Sequence, residues 1–238
     1  MKLDELLDGQ TEFLIQAAAA GDFEQAHAIF DHGCLLALHC TRRLLTGARG
    51  GAVVKIGVNR PVVRQHFEQI GQYLSWHGSL SIDYFWDEQS EQPAYIDANP
   101  RITEPMNAVV NGINLADMQV QLSLGREISP LPAAQSALKS HSILQAMLGA
   151  AGRRYSRLDL LREIYRVIGK RGVYKDSREG MTPVWQDMPS ILVLAVVFTS
   201  LLLNPHNVER LAAQTIAYYS LGSAIPELLT LEPESLVT

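Results

Sequence analysis

Residues 78–101 leave this chain few ways to fold. The run Gly78-Ser79-Leu80-Ser81-Ile82-Asp83-Tyr84-Phe85 alternates with period two, as does Ala94-Tyr95-Ile96-Asp97-Ala98-Asn99. The acidic, turn-like residues 86–93 between them predict a hairpin. Leu80, Ile82 and Tyr84 then share one face, and Ser79, Ser81 and Asp83 the other. On the second strand Ala94, Ile96 and Ala98 share a face, and Tyr95, Asp97 and Asn99 its opposite. If the apolar faces pack together, Asp83, Asp97 and Asn99 converge on one polar surface. Acids on the open face of a hairpin are ordinarily just solvated. Two carboxylates and an amide oxygen at this spacing are also hard oxygen ligands that suit Mg²⁺ or Mn²⁺. Pro100 stops the ladder because it has no N–H to donate. Arg101 lies just beyond, where it can reach an anion held by the metal.

The rest of the chain must supply a core and a location. Its 238 residues are enough for one large or two small domains. At 47% hydrophobic and 19% charged residues, the composition is that of a folded globular chain. A net charge of −5 argues against general nucleic-acid binding. Cys34 and Cys40 make no disulfide framework and no metal spacing; they are expected as buried small hydrophobes in a reducing compartment. The charged N-terminal residues do not read as a signal peptide. The apolar run 191–203 is shorter than the roughly 20 residues a spanning helix needs, so it reads as a buried core helix. The expected location is the cytoplasm, with neither membrane nor nucleic acid as partner.

Upstream of the hairpin, residues 24–30, the turn Asp31-His32-Gly33 and residues 34–43 read as another hairpin, with Gly33 free to take a positive φ. His27, His32 and His39 lack a convincing ligand spacing and read as structural or solvated. Arg42 and Arg43 precede the glycine turn 47–51, so they stand as a solvated basic turn or as bidentate anion ligands. Residues 52–58 form a further strand, with Lys55 a candidate phosphate or substrate contact. Pro61–Leu74 reads as a helix: Pro61 suits its first position, and Val63, Phe67, Ile70 and Leu74 make one apolar stripe. Helices are also expected over 115–124, 133–151, 157–168, 190–203 and 208–221. Ser156 caps the third of these, and Leu158, Leu161, Ile164, Tyr165 and Ile168 form its apolar face. Nine of the 20 Lys and Arg residues fall between Arg153 and Arg178, either as a solvated or docking face or as an attractor for an anionic substrate. The loop 170–189 is long enough to cover a cleft.

A strand carrying an acid, then Asp97-Ala98-Asn99-Pro100-Arg101, then Glu104 and Gly112-Ile113-Asn114-Leu115, resembles the C-terminal half of an ATP-grasp domain. That half ends in two metal-binding strands, an Asn-Pro-Arg corner and a Gly-Val-Asn-Leu-like helix start. The resemblance covers roughly residues 10–128. It implies that Asp83, Asp97 and Asn99 hold Mg²⁺ or Mn²⁺. Arg101 with Arg42 or Arg43 would stabilise charge during transfer, and Lys55, Glu104 and Asn107 would meet phosphates or acceptor. It also implies an adenine-binding hinge near Gln16, Ala17, Ala18 and Ala19. Alanines stand there where acids and an aromatic are common, so only backbone groups would serve.

The expected fold is α+β: a mostly antiparallel sheet in 1–128, with an all-helical region in 129–238. The expected function is that of a truncated or split ATP-grasp ligase. ATP and Mg²⁺ would activate a carboxylate as an acyl phosphate for attack by an amine, or less often a thiol. The resembling family carries a Gly-rich loop and a gripping lysine ahead of this half, and neither precedes Gln16. A separate chain, or a second copy in a homodimer, is therefore expected to complete the site. The alternative is a non-catalytic nucleotide- or metal-binding scaffold subunit.

Overall fold

The computed structural model describes residues 17–132, 137–180 and 187–217, with 214–217 in backbone only. Residues 1–16, Gln16 of the expected hinge among them, residues 133–136 and 181–186, and everything after 217 lie outside the described residues.

Among the described residues seven strands form one sheet in the order β5-β4-β1-β2-β3-β6-β7. They are β1 (Asp22–Asp31), β2 (Cys34–Thr46), β3 (Ala52–Val58), β4 (Gly78–Asp87), β5 (Gln92–Asn99), β6 (Lys139–His141) and β7 (Ser177–Glu179). All neighbours are antiparallel except β6 and β7. The fold is thus α+β with a mostly antiparallel sheet. The region after 128 is not all-helical, because β6 and β7 both come from it and extend the sheet beyond β3. Three-residue strands carry too short an alternation to be read in a sequence.

The β1–β2 turn has His32 at φ 42° and Gly33 at φ 92°, the two left-handed residues that a two-residue hairpin turn requires. Helix α1 (Pro61–Leu74) starts on its proline and lies on one face of the sheet. Val63 and Phe67 are buried there against Ala26, Ala28, Phe30, Leu80, Ile82 and Tyr84. The Phe30 and Phe67 rings stack with centroids 6.3 Å apart. Gly71 permits this approach, since a Cβ there would sit 2.4 Å from the Phe30 ring. The Gly33 N–H donates to the Trp76 carbonyl at 2.7 Å, tying the hairpin turn to the corner after α1.

The opposite face is covered over only part of its length. Helices α2 (Met106–Val110) and α3 (Leu115–Ser123) bury Ile29, Leu36 and Ala37 near the hairpin turn. Further along β1, β2 and β4 this face carries polar side chains, with the Phe23–Phe85 pair at its edge, and the candidate site lies there.

The remaining helices, α4 (Ile143–Arg154), α5 (Arg157–Ile168), α6 (Pro189–Leu203) and α7 (Asn207–Ala217), build a second core around Met147, Leu148, Ala151, Leu160, Leu201 and Val208. Ser156 caps α5 by accepting from the Asp159 N–H. The expected apolar face of α5 is corrected: Leu160 and Val167 are buried, whereas Leu158, Leu161, Tyr165 and Ile168 are exposed. Glu163 takes a buried place because Tyr174 donates to it at 2.5 Å and Arg153 pairs with it at 3.2 Å. Helix α6 is corrected too. Leu201 is buried, but Leu192, Val193, Val196 and Leu203 are exposed, so it is not a core helix on all sides. Cys40 is buried as expected and Cys34 is exposed. Among the described residues no helix is long and apolar enough to cross a membrane.

Candidate functional site

Strand register decides what the polar face contains. Asp83 on β4 lies directly opposite Asp97 on β5, and Ser81 lies opposite Asn99. Directly opposed residues put their side chains on the same face, so the two carboxylates meet there. The Asn99 Nδ2 donates to Asp97 Oδ2 at 2.8 Å. The register shifts between Asp83 and Tyr84, leaving Ile96 as an extra residue. That bulge corrects the simple alternation. Tyr95 does not share the face of Asp97; it pairs with Tyr84, meets its ring edge-on at 5.8 Å, and places its hydroxyl 3.0 Å from His66 of α1.

Three further strands add to this surface. Gln25 of β1 is opposite Asp83, and its Nε2 donates to Asp83 Oδ1 at 2.9 Å. Lys55 of β3 is buried, donates to Gln25 Oε1 at 2.6 Å and pairs with Glu104. A continuous polar chain therefore runs Asn99–Asp97, across to Asp83, then Gln25, Lys55 and Glu104. Glu104 reaches it from the loop after β5, with its backbone in the left-handed region at φ 35°. Arg43 of β2 is opposite Lys55 and lays its guanidinium over the Phe23 ring at 4.1 Å. Arg101 is exposed just past β5.

The other sequence candidates fall elsewhere. Alternation along β2 sends Arg42 to the face of Glu24, its register partner, where it meets Asp22 and Glu88 at 3.3 Å. The arginine pair is split across the sheet, and only Arg43 stands with the acids. Asn107 is buried beneath the site, and its amide is engaged. Its Oδ1 lies 2.9 Å from His39 Nε2, and its Nδ2 donates to Ser140 Oγ at 2.8 Å. The glycine turn packs against α4 and does not cover the acids; a Cβ on Gly51 would meet the Gln145 side chain at 2.6 Å. Ala17, Ala18 and Ala19 precede β1 without regular structure, and Ala17 and Ala18 are exposed.

Gln25 joins Asp83 to Lys55, and no sequence signal singled it out beyond its place on the polar face of β1. His27 and His39 are opposite one another and buried, forming the floor of the face. His27 Nδ1 lies 3.0 Å from Ser81 Oγ. Burial holds both histidines below the ordinary range, and the charge of Lys55 adds to this. The floor is therefore neutral.

The charges on the surface are not in balance. Burial pushes the Asp83 carboxyl up and the Asp97 charge adds to it, against the Gln25 hydrogen bond and the charges of Lys55 and Arg43. Burial lowers the Arg43 pKa, opposed by Glu104 and Asp83. Two carboxylates held face to face, one of them reluctant to ionise, are the arrangement a divalent cation relieves. A cavity of about 30 Å³ between Lys55, Glu104, Asn107 and Ser140 has room for a water and not for a substrate. A larger cleft of about 290 Å³, between the glycine turn and α4 and α7, is lined by Arg49 and Arg153 and contains none of Asp83, Asp97, Asn99, Lys55 and Arg43.

No family model matches the sequence, and no curated protein matches it. Among solved structures the chain is partly similar to biotin-carboxylase-bearing enzymes of the ATP-grasp family. Pyruvate carboxylase of Rhizobium etli is 20% identical over 47% of this chain and 12% of its own, at a TM-score of 0.38. Urea carboxylase of Kluyveromyces lactis is 15% identical over 50% and 11%, at 0.40. The biotin carboxylase domain of Hydrogenobacter thermophilus 2-oxoglutarate carboxylase, solved with MgADP, ADP and bicarbonate, is 14% identical over 49% and 27%, at 0.38. The chain therefore spans about a tenth to a quarter of these proteins. Likenesses this partial carry no weight for its chemistry, which rests on its own side chains.

Proposed function

We propose that this chain carries the metal-binding face of an ATP-grasp ligase, on which Mg²⁺ or Mn²⁺ and the phosphates of ATP are held while a carboxylate is activated for attack by an amine. The observation that carries this reading is the direct opposition of Asp83 and Asp97, with Asn99 bonded to Asp97, on the face that also holds Lys55 and Arg43. The order of motifs from the acid on β4 to Gly112-Ile113-Asn114-Leu115 supports it independently.

The donor set fits a hard cation. Asp83 and Asp97 offer carboxylate oxygens, and Asn99, with its Nδ2 turned to Asp97, leaves its Oδ1 for a cation. When bound, such a cation neutralises phosphate charge and orients the phosphoryl group. Arg43 and Arg101 bring guanidinium groups to the same charge. Lys55 meets a phosphate by exchanging Glu104 for it, which keeps its ammonium paired while the anion is bound. The neutral histidine floor excludes water beneath the acids without adding charge. An opposing lobe, from a separate chain or a second copy, would press the nucleotide onto this face, and the carboxylate and amine substrates would enter between the two.

One observation favours a binding role without turnover: the Lys55 ammonium is already held by Gln25 and Glu104, and Arg42 faces away. Thermal shift separates these readings from an inert fold. Mg-ATP or Mn-ADP should raise the melting temperature of the wild type and have no effect on Asp97→Asn. No nucleotide- or metal-dependent shift in the wild type would rule out both the ligase and the binding role. Release of phosphate from ATP, dependent on carboxylate and amine, is the ligase's signature over the binding subunit's.

A further inference from the structure

A second cluster of ligand atoms lies at the other end of the sheet, away from Asp83 and Asp97. Among the described residues, Asp31, His32 and His77 bring three ligand atoms within 4.8 Å of one another. Asp31 ends β1, His32 is the first turn residue, and His77 stands in the corner between α1 and β4. His32 Nδ1 lies 2.7 Å and His77 Nδ1 3.2 Å from the same oxygen, Asp31 Oδ1. The two imidazole rings are 4.3 Å apart, tilted by 41°. All three side chains are exposed.

We propose that Asp31, His32 and His77 form a binding site for a borderline transition metal, Zn²⁺ foremost, independent of the nucleotide face. Two imidazoles and one carboxylate are a donor set that Zn²⁺ accepts, and imidazole selects against Mg²⁺ and Ca²⁺. The spacing fits as well. Ligands about 2.0–2.1 Å from a tetrahedral centre lie about 3.3 Å from one another; His77 Nδ1 is close to that separation from Asp31 Oδ1 at 3.2 Å, and His32 Nδ1, at 2.7 Å, has to swing outward on its exposed side chain to reach it. With no metal, Asp31 Oδ1 must accept from both Nδ1 atoms. To bind a metal each imidazole would present its Nδ1 lone pair and carry its proton on Nε2, which faces solvent. The frame is fixed in advance by the Gly33 N–H donating to the Trp76 carbonyl, which holds the turn beside the corner that carries His77. Cys34 is directly opposite Asp31 across the hairpin and exposed. Its thiol is not among the three clustered ligand atoms, so water would fill the fourth position. Bound metal would join residues 32 and 77 and stitch the β1–β2 turn to the start of β4.

The test is calorimetric titration of the untagged full chain with Zn²⁺ alone, without nucleotide. One equivalent should bind the wild type. His77→Ala and His32→Asn should each weaken it at least tenfold, the second keeping a residue that tolerates the left-handed turn. Both are surface changes, and circular dichroism checks that each variant folds. Asp97→Asn should leave Zn²⁺ affinity unchanged, which keeps this outcome separate from that of the nucleotide face. The proposal is overturned if the wild type binds no Zn²⁺, if the folded histidine variants bind it as the wild type does, or if Asp97→Asn alone removes it.

Discussion

Asp83 is the residue at which stability and function pull in opposite directions. Its carboxyl is raised above the ordinary 3.8, chiefly by burial and then by Asp97. The folded state therefore keeps a proton at pH values where the unfolded state has lost it. Linkage then makes stability fall as pH rises from about 3.8 through the raised midpoint, and the loss persists at neutral pH. Asp83→Asn removes the ionisable group and still accepts the Gln25 hydrogen bond. In metal-free buffer at pH 7 this variant should unfold at a higher urea concentration than the wild type, and Mg²⁺ should narrow the gap by stabilising the wild type alone. A variant less stable than the wild type without metal would mean that the carboxylate is stabilising as it stands. The acids themselves were legible in the sequence because alternation on β4 is unbroken. Gln25 was not, because a glutamine on a polar face is ordinary until its partners are known. The split of Arg42 from Arg43 follows from the same alternation, which separates any two neighbouring residues on a strand.

At the level of elements, the sequence resolved whatever obeyed one period throughout. Pro61–Leu74, with its proline start, and the first hairpin, with Gly33 at positive φ, form where they were read, although Leu74 at the end of the expected stripe is exposed. Strand β5 has one residue too many for its partner, so a reading by alternation put Tyr95 on the wrong face while placing Asp97 and Asn99 correctly. Helix α5 has two apolar stripes, and the one that is buried was decided by Tyr174 and the helices around it, not by the helix itself. The bulge makes a sharp prediction. Deleting Ile96 leaves Tyr95 directly before Asp97, still on opposite faces, so the deletion variant should fold and keep its Mg-ATP thermal shift. Deleting Ala98 places Asn99 directly after Asp97 and turns it away from the site, and that shift should be lost. Equal behaviour of the two deletions would contradict the register.

Among the described residues the sheet has two differently composed ends on the same side. Near the β1–β2 turn that side is closed by α2 and α3; at the far ends of the strands it lies open and charged. The sheet also joins the two halves of the sequence, since β6 pairs with β3. That pairing was illegible because a three-residue strand takes its identity from its neighbour. On the proposed reading Asp83, Asp97, Asn99, Lys55 and Arg43 form one cation and phosphate face to which Arg42 does not contribute. Calorimetric titration with Mn-ADP of the wild type, Asp97→Asn and Arg42→Ala tests it most directly. The wild type should bind one equivalent, Asp97→Asn should lose tenfold or more in affinity, about 1.4 kcal/mol, and Arg42→Ala should bind as the wild type does. Wild-type affinity in Asp97→Asn, or an equal loss in Arg42→Ala, would contradict it.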